Sequence, residues 1–154
     1  MSHLLHPPLL EEVGLASAVP WYVEGFAERS GIKVDVQMPA NLGRLSQPVE
    51  LVLFRVLQES LTNILRHAQS TRAKIRLRVD DHSATLSIED DGKGFAQVNG
   101  QPYKTGVGIA GMRERVRELG GEFRISSSPA GTTVEAIVPV AQSAVVNTAE
   151  ANRS

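Results

Sequence analysis

The stretch PVELVLFRVLQESLTNILRHA, Pro48–Ala68, decides the fold. At about 100° per residue, Phe54, Leu57, Leu61, Ile64, Leu65 and Ala68 fall on one side of a helix, the side that must be buried. Pro48 stands where a first helical turn accepts proline. Glu59, Asn63, Arg66 and His67 fall together on the opposite side, within a sector of roughly 100°. Taken alone, such an edge reads as a solvated face, as on most amphipathic helices. Its chemistry is nevertheless specific. A carboxylate polarises an attacking group, an amide oxygen suits Mg²⁺, and cationic side chains face phosphate oxygens.

Working outward, a helical pattern runs from Leu15 or Ser17 to Ser30, with Trp21, Val23, Phe26 and Ala27 near helical spacing and Gly31 as its stop. Pro20 fits only if it lies in the first turn. Leu9–Glu12, behind Pro7–Pro8, reads as a connector with room for one helical turn. Ile32–Gln37 alternates as a half-buried strand does, and Pro39–Pro48 is a loop. Ala73–Asp80 and Ala84–Asp90 form a hairpin around Asp81–His82–Ser83. Gly92–Gly108 is rich in glycine, lacks a period, and reads as a long flexible loop. Ile109–Leu119 is a helix, and Glu122–Ser127 with Thr132–Pro139 form a second hairpin around Pro129–Ala130–Gly131. The residues after Val140 are small and polar, as in a disordered tail. Paired strands separated by helices predict an α+β sandwich, its antiparallel-rich sheet covered on one face by helices.

At 154 residues the chain suits one domain with a real core. No apolar run approaches the roughly 20 residues of a membrane-spanning helix, so this segment is expected to make no membrane contact. The N-terminus lacks the pattern of a signal peptide. The chain has no cysteine, which excludes disulfides and thiolate chemistry and fits a reducing cytoplasm. Net charge is −1, which gives no support to a nucleic-acid partner. Arg72, Lys74, Arg76 and Arg78 alternate with Ala73, Ile75, Leu77 and Val79, as the exposed face of a strand.

Two glycine-rich segments carry the remaining signal. Ile88–Phe95 follows a strand, and its glycines let backbone approach a flat ligand. A carboxylate at the strand end can accept a hydrogen bond from an exocyclic amine. Asp-Gly also closes hairpins, but no strand returns immediately. Gly106–Met112 runs from loop into helix, where free N–H groups and the helix dipole favour phosphate. Its spacing is like the dinucleotide fingerprint but lacks the preceding strand, and no phosphate-loop Gly-Lys-Ser/Thr sequence is present.

Together these segments resemble the ATP-binding domain shared by gyrase, Hsp90-type chaperones, sensor histidine kinases and MutL. Gln58–Ala68 looks like that superfamily's N box; Asp90, Gly92 and Gly94 match its first glycine box, and Gly106–Met112 its second. Gly131–Thr132–Thr133–Val134 is similar to its threonine-bearing turn. Gly108–Arg115, Leu119–Gly120–Gly121 and Pro7–Leu15 resemble the histidine kinases of the nitrate/nitrite-sensor branch. The resemblance implies a Bergerat-type two-layer sandwich with a flexible ATP lid, binding ATP and Mg²⁺. It implies that Asp90 binds the adenine amine in a pocket shaped by Gly92 and Gly94, with Thr133 beside it. Asn63 would ligate Mg²⁺ and Glu59 would act as base or orienting group. Arg66, His67 and Lys93 would serve nucleotide binding, and Gly106 and Gly108 would hinge the lid.

His3 and His6 stand beside Pro7–Pro8, not on a long helix with a neighbouring acid. The phospho-accepting histidine is therefore expected on a separate dimerisation domain, with a response regulator downstream. Residues 1–14 would be the connector, 15–140 the catalytic domain and 141–154 a tail. The parent would be cytoplasmic or the cytoplasmic part of a membrane-anchored kinase. Two rivals are a nucleotide-dependent regulatory module without transfer, and a serine kinase acting on an anti-sigma-factor partner.

Overall fold

The computed structural model describes residues 7–68, 70–92, 97–98, 101–102 and 106–140. The tail from 141 onward lies outside the described residues. Three helices, α1 (Pro7–Ser30), α2 (Gln47–Asn63) and α3 (Gly106–Glu118), cover one face of a five-stranded sheet. The strands are β1 (Lys33–Gln37), β2 (Arg72–Val79), β3 (Ser83–Asp90), β6 (Glu122–Ser128) and β7 (Gly131–Pro139), in the order β1-β2-β3-β7-β6. Only β1 and β2 run parallel, because α2 carries the chain back across the sheet between them; the other pairings are antiparallel. β4 (Gln97–Val98) and β5 (Gln101–Pro102) form a short antiparallel pair inside the stretch read as an irregular loop.

Alternation in the strands fixes two faces. Ile75, Leu77, Leu86, Ile88, Val134 and Val138 point under the helices, while Arg72, Lys74 and Glu89 point to the open side. α2 lays Leu53, Leu57 and Leu61 into that core, all but inaccessible to solvent. Burying each such side chain contributes about 1.5–3 kcal/mol. Its start is capped by Ser46, whose side chain accepts from the Val49 N–H. Among the described residues no helix is long and apolar enough to cross a membrane.

Three sequence expectations need correction. Leu65 belonged to the apolar stripe but is 53% exposed. After Asn63 the helix widens into a π turn, Ile64–Ala68, so later positions lag those of a regular α-helix and Leu65 swings outward. Trp21 is also exposed, since α1 buries Leu15, Ala18, Val19, Val23 and Phe26 instead. α3 begins at Gly106 rather than Ile109.

Helical turns in α1 start at Pro7, ahead of the expected connector's end, but break at Gly14, where φ is +73°. A Cβ there would sit 2.6 Å from Arg44 Nε. Arg44 lies over this break and donates to both carboxylate oxygens of Glu50, at 3.1 and 2.9 Å, and to the Glu11 carbonyl at 3.0 Å. The Leu45 N–H also donates to Glu50, which is only 1% exposed. One guanidinium thus joins the segment before the break to the first turn of α2. Arg44→Ala leaves a buried carboxylate with a single N–H partner, and should lower unfolding stability in urea by about 1–3 kcal/mol. A change below roughly 0.5 kcal/mol would show that the clasp contributes nothing.

Candidate functional site

Four polar side chains are buried among the described residues: Glu50, Ser60, Asn63 and Thr132. Glu50 is accounted for by Arg44. The other three lie on α2 and at the start of β7, in the layer between helices and sheet, where a polar group without partners is costly.

Asn63 was placed by helical spacing on a polar outer edge. It is instead 5% exposed. Its Nδ2 has no hydrogen-bond partner among the described residues. Glu59, one turn earlier, is half-buried and lines a cleft between α2 and α3 with Arg55, Met112 and Arg115. Its charge reaches Tyr22, whose hydroxyl is held above its usual pKa mainly by burial, with Arg29 opposing and Glu59 adding. Arg66 is exposed on the π turn. The side chain of His67 lies outside the described residues, as do Lys93 and Gly94.

The adjacent aspartates at the end of β3 have opposite characters. Asp91 is exposed and accepts from the N–H groups of Thr71 and Arg72, both at 3.1 Å, and from the Thr71 hydroxyl. These bonds hold its carboxyl below the usual range, so it is a structural anchor for β2. Asp90 faces the helix side and is pushed above the usual carboxylate range, first by burial and also by the neighbouring Asp91 charge. Hydrogen bonds from the Gly92 N–H (2.8 Å), the Ser70 hydroxyl (2.9 Å) and the Thr132 N–H only partly offset this. A half-buried carboxylate kept at such a cost marks a candidate site.

β7 corrects the threonine assignment. Thr133 pairs with Glu89 and lies on the open face. Thr132 pairs with Asp90, is 3% exposed, and shares its hydroxyl with Ser127 at 2.8 Å. The period of two along Thr132, Val134, Ala136 and Val138 already carried this signal. Gly131 lets the strands close here: φ is +146°, and a Cβ would drive into the Asp90 carbonyl oxygen. Gly92 is buried beside Asp90, while Gly106 and Gly108 fall in the first turn of α3 rather than before it. The first N–H groups of a helix have no partner within the helix and suit an anion.

The site gathers a half-buried acid, a buried amide with an unpartnered nitrogen and a helix N-terminus on one side of a sheet. Residues 49–142 match the family described as histidine kinase-, DNA gyrase B-, and HSP90-like ATPase. The chain belongs to that family, as an ATP-binding domain of the sensor histidine kinase type. It is 33% identical to the sensor histidine kinase MctS of Rhizobium johnstonii, over 96% of this chain and 32% of that protein. It is 35% identical to the sensor histidine kinase NarS of Mycobacterium tuberculosis, over 88% of this chain and 32% of that protein. The chain spans about a third of the length of these curated relatives. The histidine kinase domain of a blue-light-activated kinase from Erythrobacter litoralis shares the fold, with TM-score 0.62 and 24% identity over 81% of this chain and 60% of that one.

Asp90→Asn keeps acceptors for Gly92 and Ser70 but removes the buried charge. A carboxyl whose folded pKa is raised weakens the fold above that pKa and ceases to do so once protonated. The variant should therefore melt higher than the parent near neutral pH, with the gap closing as pH falls. Equal melting temperatures at neutral pH would mean that the charge carries no penalty.

Proposed function

We propose that this chain is the catalytic portion of a two-component sensor kinase of the nitrate/nitrite-sensor branch. It holds ATP with Mg²⁺ and presents the γ-phosphate to a histidine on a separate dimerisation domain, from which a response regulator draws the phosphoryl group. The observation that carries this reading is the buried amide of Asn63, its nitrogen unpartnered among the described residues, on the helix that packs against α3.

Asp90 would accept a hydrogen bond from the adenine amine, with Gly92 and Gly94 giving the base a flat approach. Thr132, not Thr133, stands beside Asp90 on the covered face. Gly106 and Gly108 open α3, whose first N–H groups suit phosphate oxygens, and Arg66, His67 and Lys93 supply further cationic or polar contacts. Mg²⁺ fits Asn63, since one amide oxygen together with phosphate oxygens and water is a donor set that ion accepts. Among the described residues no three His, Asp or Glu side chains are grouped to hold a metal, so the phosphates would complete the shell. When bound and held by Asn63, the ion would supply neutralisation of the negative charge on the phosphates. Glu59, one helical turn from Asn63, would orient the attacking imidazole by accepting its N–H. Residues 1–14 would connect to the dimerisation helices, and 95–105 would form the lid over the triphosphate.

Similarity to sensor histidine kinases over most of this chain favours that reading over a serine kinase for an anti-sigma-factor partner or a regulatory module. Incubation with labelled ATP and separately prepared dimerisation helices tests it. Acid-labile label on histidine is expected; label on serine, or binding without transfer, supports one of the rivals. Asn63→Ala should abolish Mg²⁺-dependent ATP binding in calorimetry, and unchanged affinity would sink the metal assignment. Glu59→Gln should retain ATP binding while transfer to the helices falls by about 10²–10⁴-fold. Retained transfer would remove Glu59 from its role.

A further inference from the structure

Ser60 sits three residues before Asn63 on α2 and is 2% exposed. Its hydroxyl has no hydrogen-bond partner among the described residues. A helical serine normally satisfies itself by donating to the carbonyl four residues back. Thr62, two residues on, does so, reaching the Gln58 carbonyl at 2.9 Å. Ser60 does not, although the same bond is open to it.

The position of this orphan hydroxyl is informative. Apart from Glu50, which Arg44 neutralises, the buried polar side chains among the described residues are Ser60, Asn63 and Thr132. Ser60 and Asn63 are buried on α2, and Thr132 is buried on the sheet face that also carries Asp90. Residues at i and i+3 share a helix face, so Ser60 and Asn63 address the same space. Elsewhere the layer between helices and sheet is filled by Leu53, Leu57, Val134 and Val138. A lone hydroxyl among them is destabilising unless something enters to bond it.

We infer that the Ser60 hydroxyl is a further nucleotide-binding group, hydrogen-bonding the purine base directly or through a water held beneath it. This rests on the ATP reading above and adds a contact from α2 to those of Asp90 and Thr132. Because the base is common to ATP and ADP, Ser60 assists both alike and acts on affinity, not on transfer.

Calorimetric titration of the whole chain with MgATP and with MgADP, for the parent and for Ser60→Ala, is the test. The variant should bind both nucleotides more weakly by the same factor, about fivefold to tenfold, the worth of one hydrogen bond. Its ligand-free melting temperature should equal or exceed the parent's, since an unpaired buried hydroxyl has been removed. That combination separates a binding role from a structural one, which would lower melting and leave affinity intact. Unchanged affinity for both nucleotides overturns the inference while leaving the ATP reading in place, and a loss confined to ATP overturns the assignment to the base. Absence of ATP binding by the parent chain would instead defeat the ATP reading itself.

Discussion

The burial of Leu53, Leu57 and Leu61 against the sheet is the contact on which this molecule depends. It sets how α2 is rotated about its axis, and hence where every polar residue on that helix points. With the leucines inward, Ser60 and Asn63 are buried with them, and Glu59 lines the α2–α3 cleft. A rotation of one residue would bring Asn63 to solvent and a leucine out with it. Hydrophobic packing thereby holds an amide in a dry place that its own solvation energy opposes.

The rest of the architecture supports that arrangement from both ends. Arg44 and Glu50 tie the first turn of α2 to the chain ahead of Gly14, so the helix is anchored where it enters the core. At its other end the π turn brings the chain round to Ser70, whose hydroxyl meets Asp90. Asp91 pins the start of β2 by its hydrogen bonds to Thr71 and Arg72, leaving its neighbour to face the covered side. Of two adjacent, chemically identical side chains, the exposed one holds the strand, and the half-buried one is pushed up by burial despite its hydrogen bonds.

Much of the candidate site was legible from residue order. The elements bearing Asp90, Gly92, Asn63 and Glu59 have the expected type and order. The threonine was misjudged for a definite reason. A motif offers two adjacent threonines, but a strand sends neighbours to opposite faces, and only the pairing of Asp90 with Thr132 chooses between them. Ser60 was invisible as a site residue, because a serine within an N box looks like any other small polar helix residue until its burial is known.

By itself the sequence determined the α+β class, the order of helices and hairpins, and the family of the ATP-binding domain. Those rest on local periodicity and on motifs whose residues are close together in the chain. Tertiary structure alone decided that Asn63, on the polar edge of α2, is interior while Arg66 is exposed. It also decided that β1 joins the sheet in parallel, that Leu65 turns outward after a π turn, and that Arg44 spans the break at Gly14. Each of these depends on what packs against a residue from elsewhere in the chain. A helical wheel gives the angle between two side chains, and only what packs around the helix says which of them meets water.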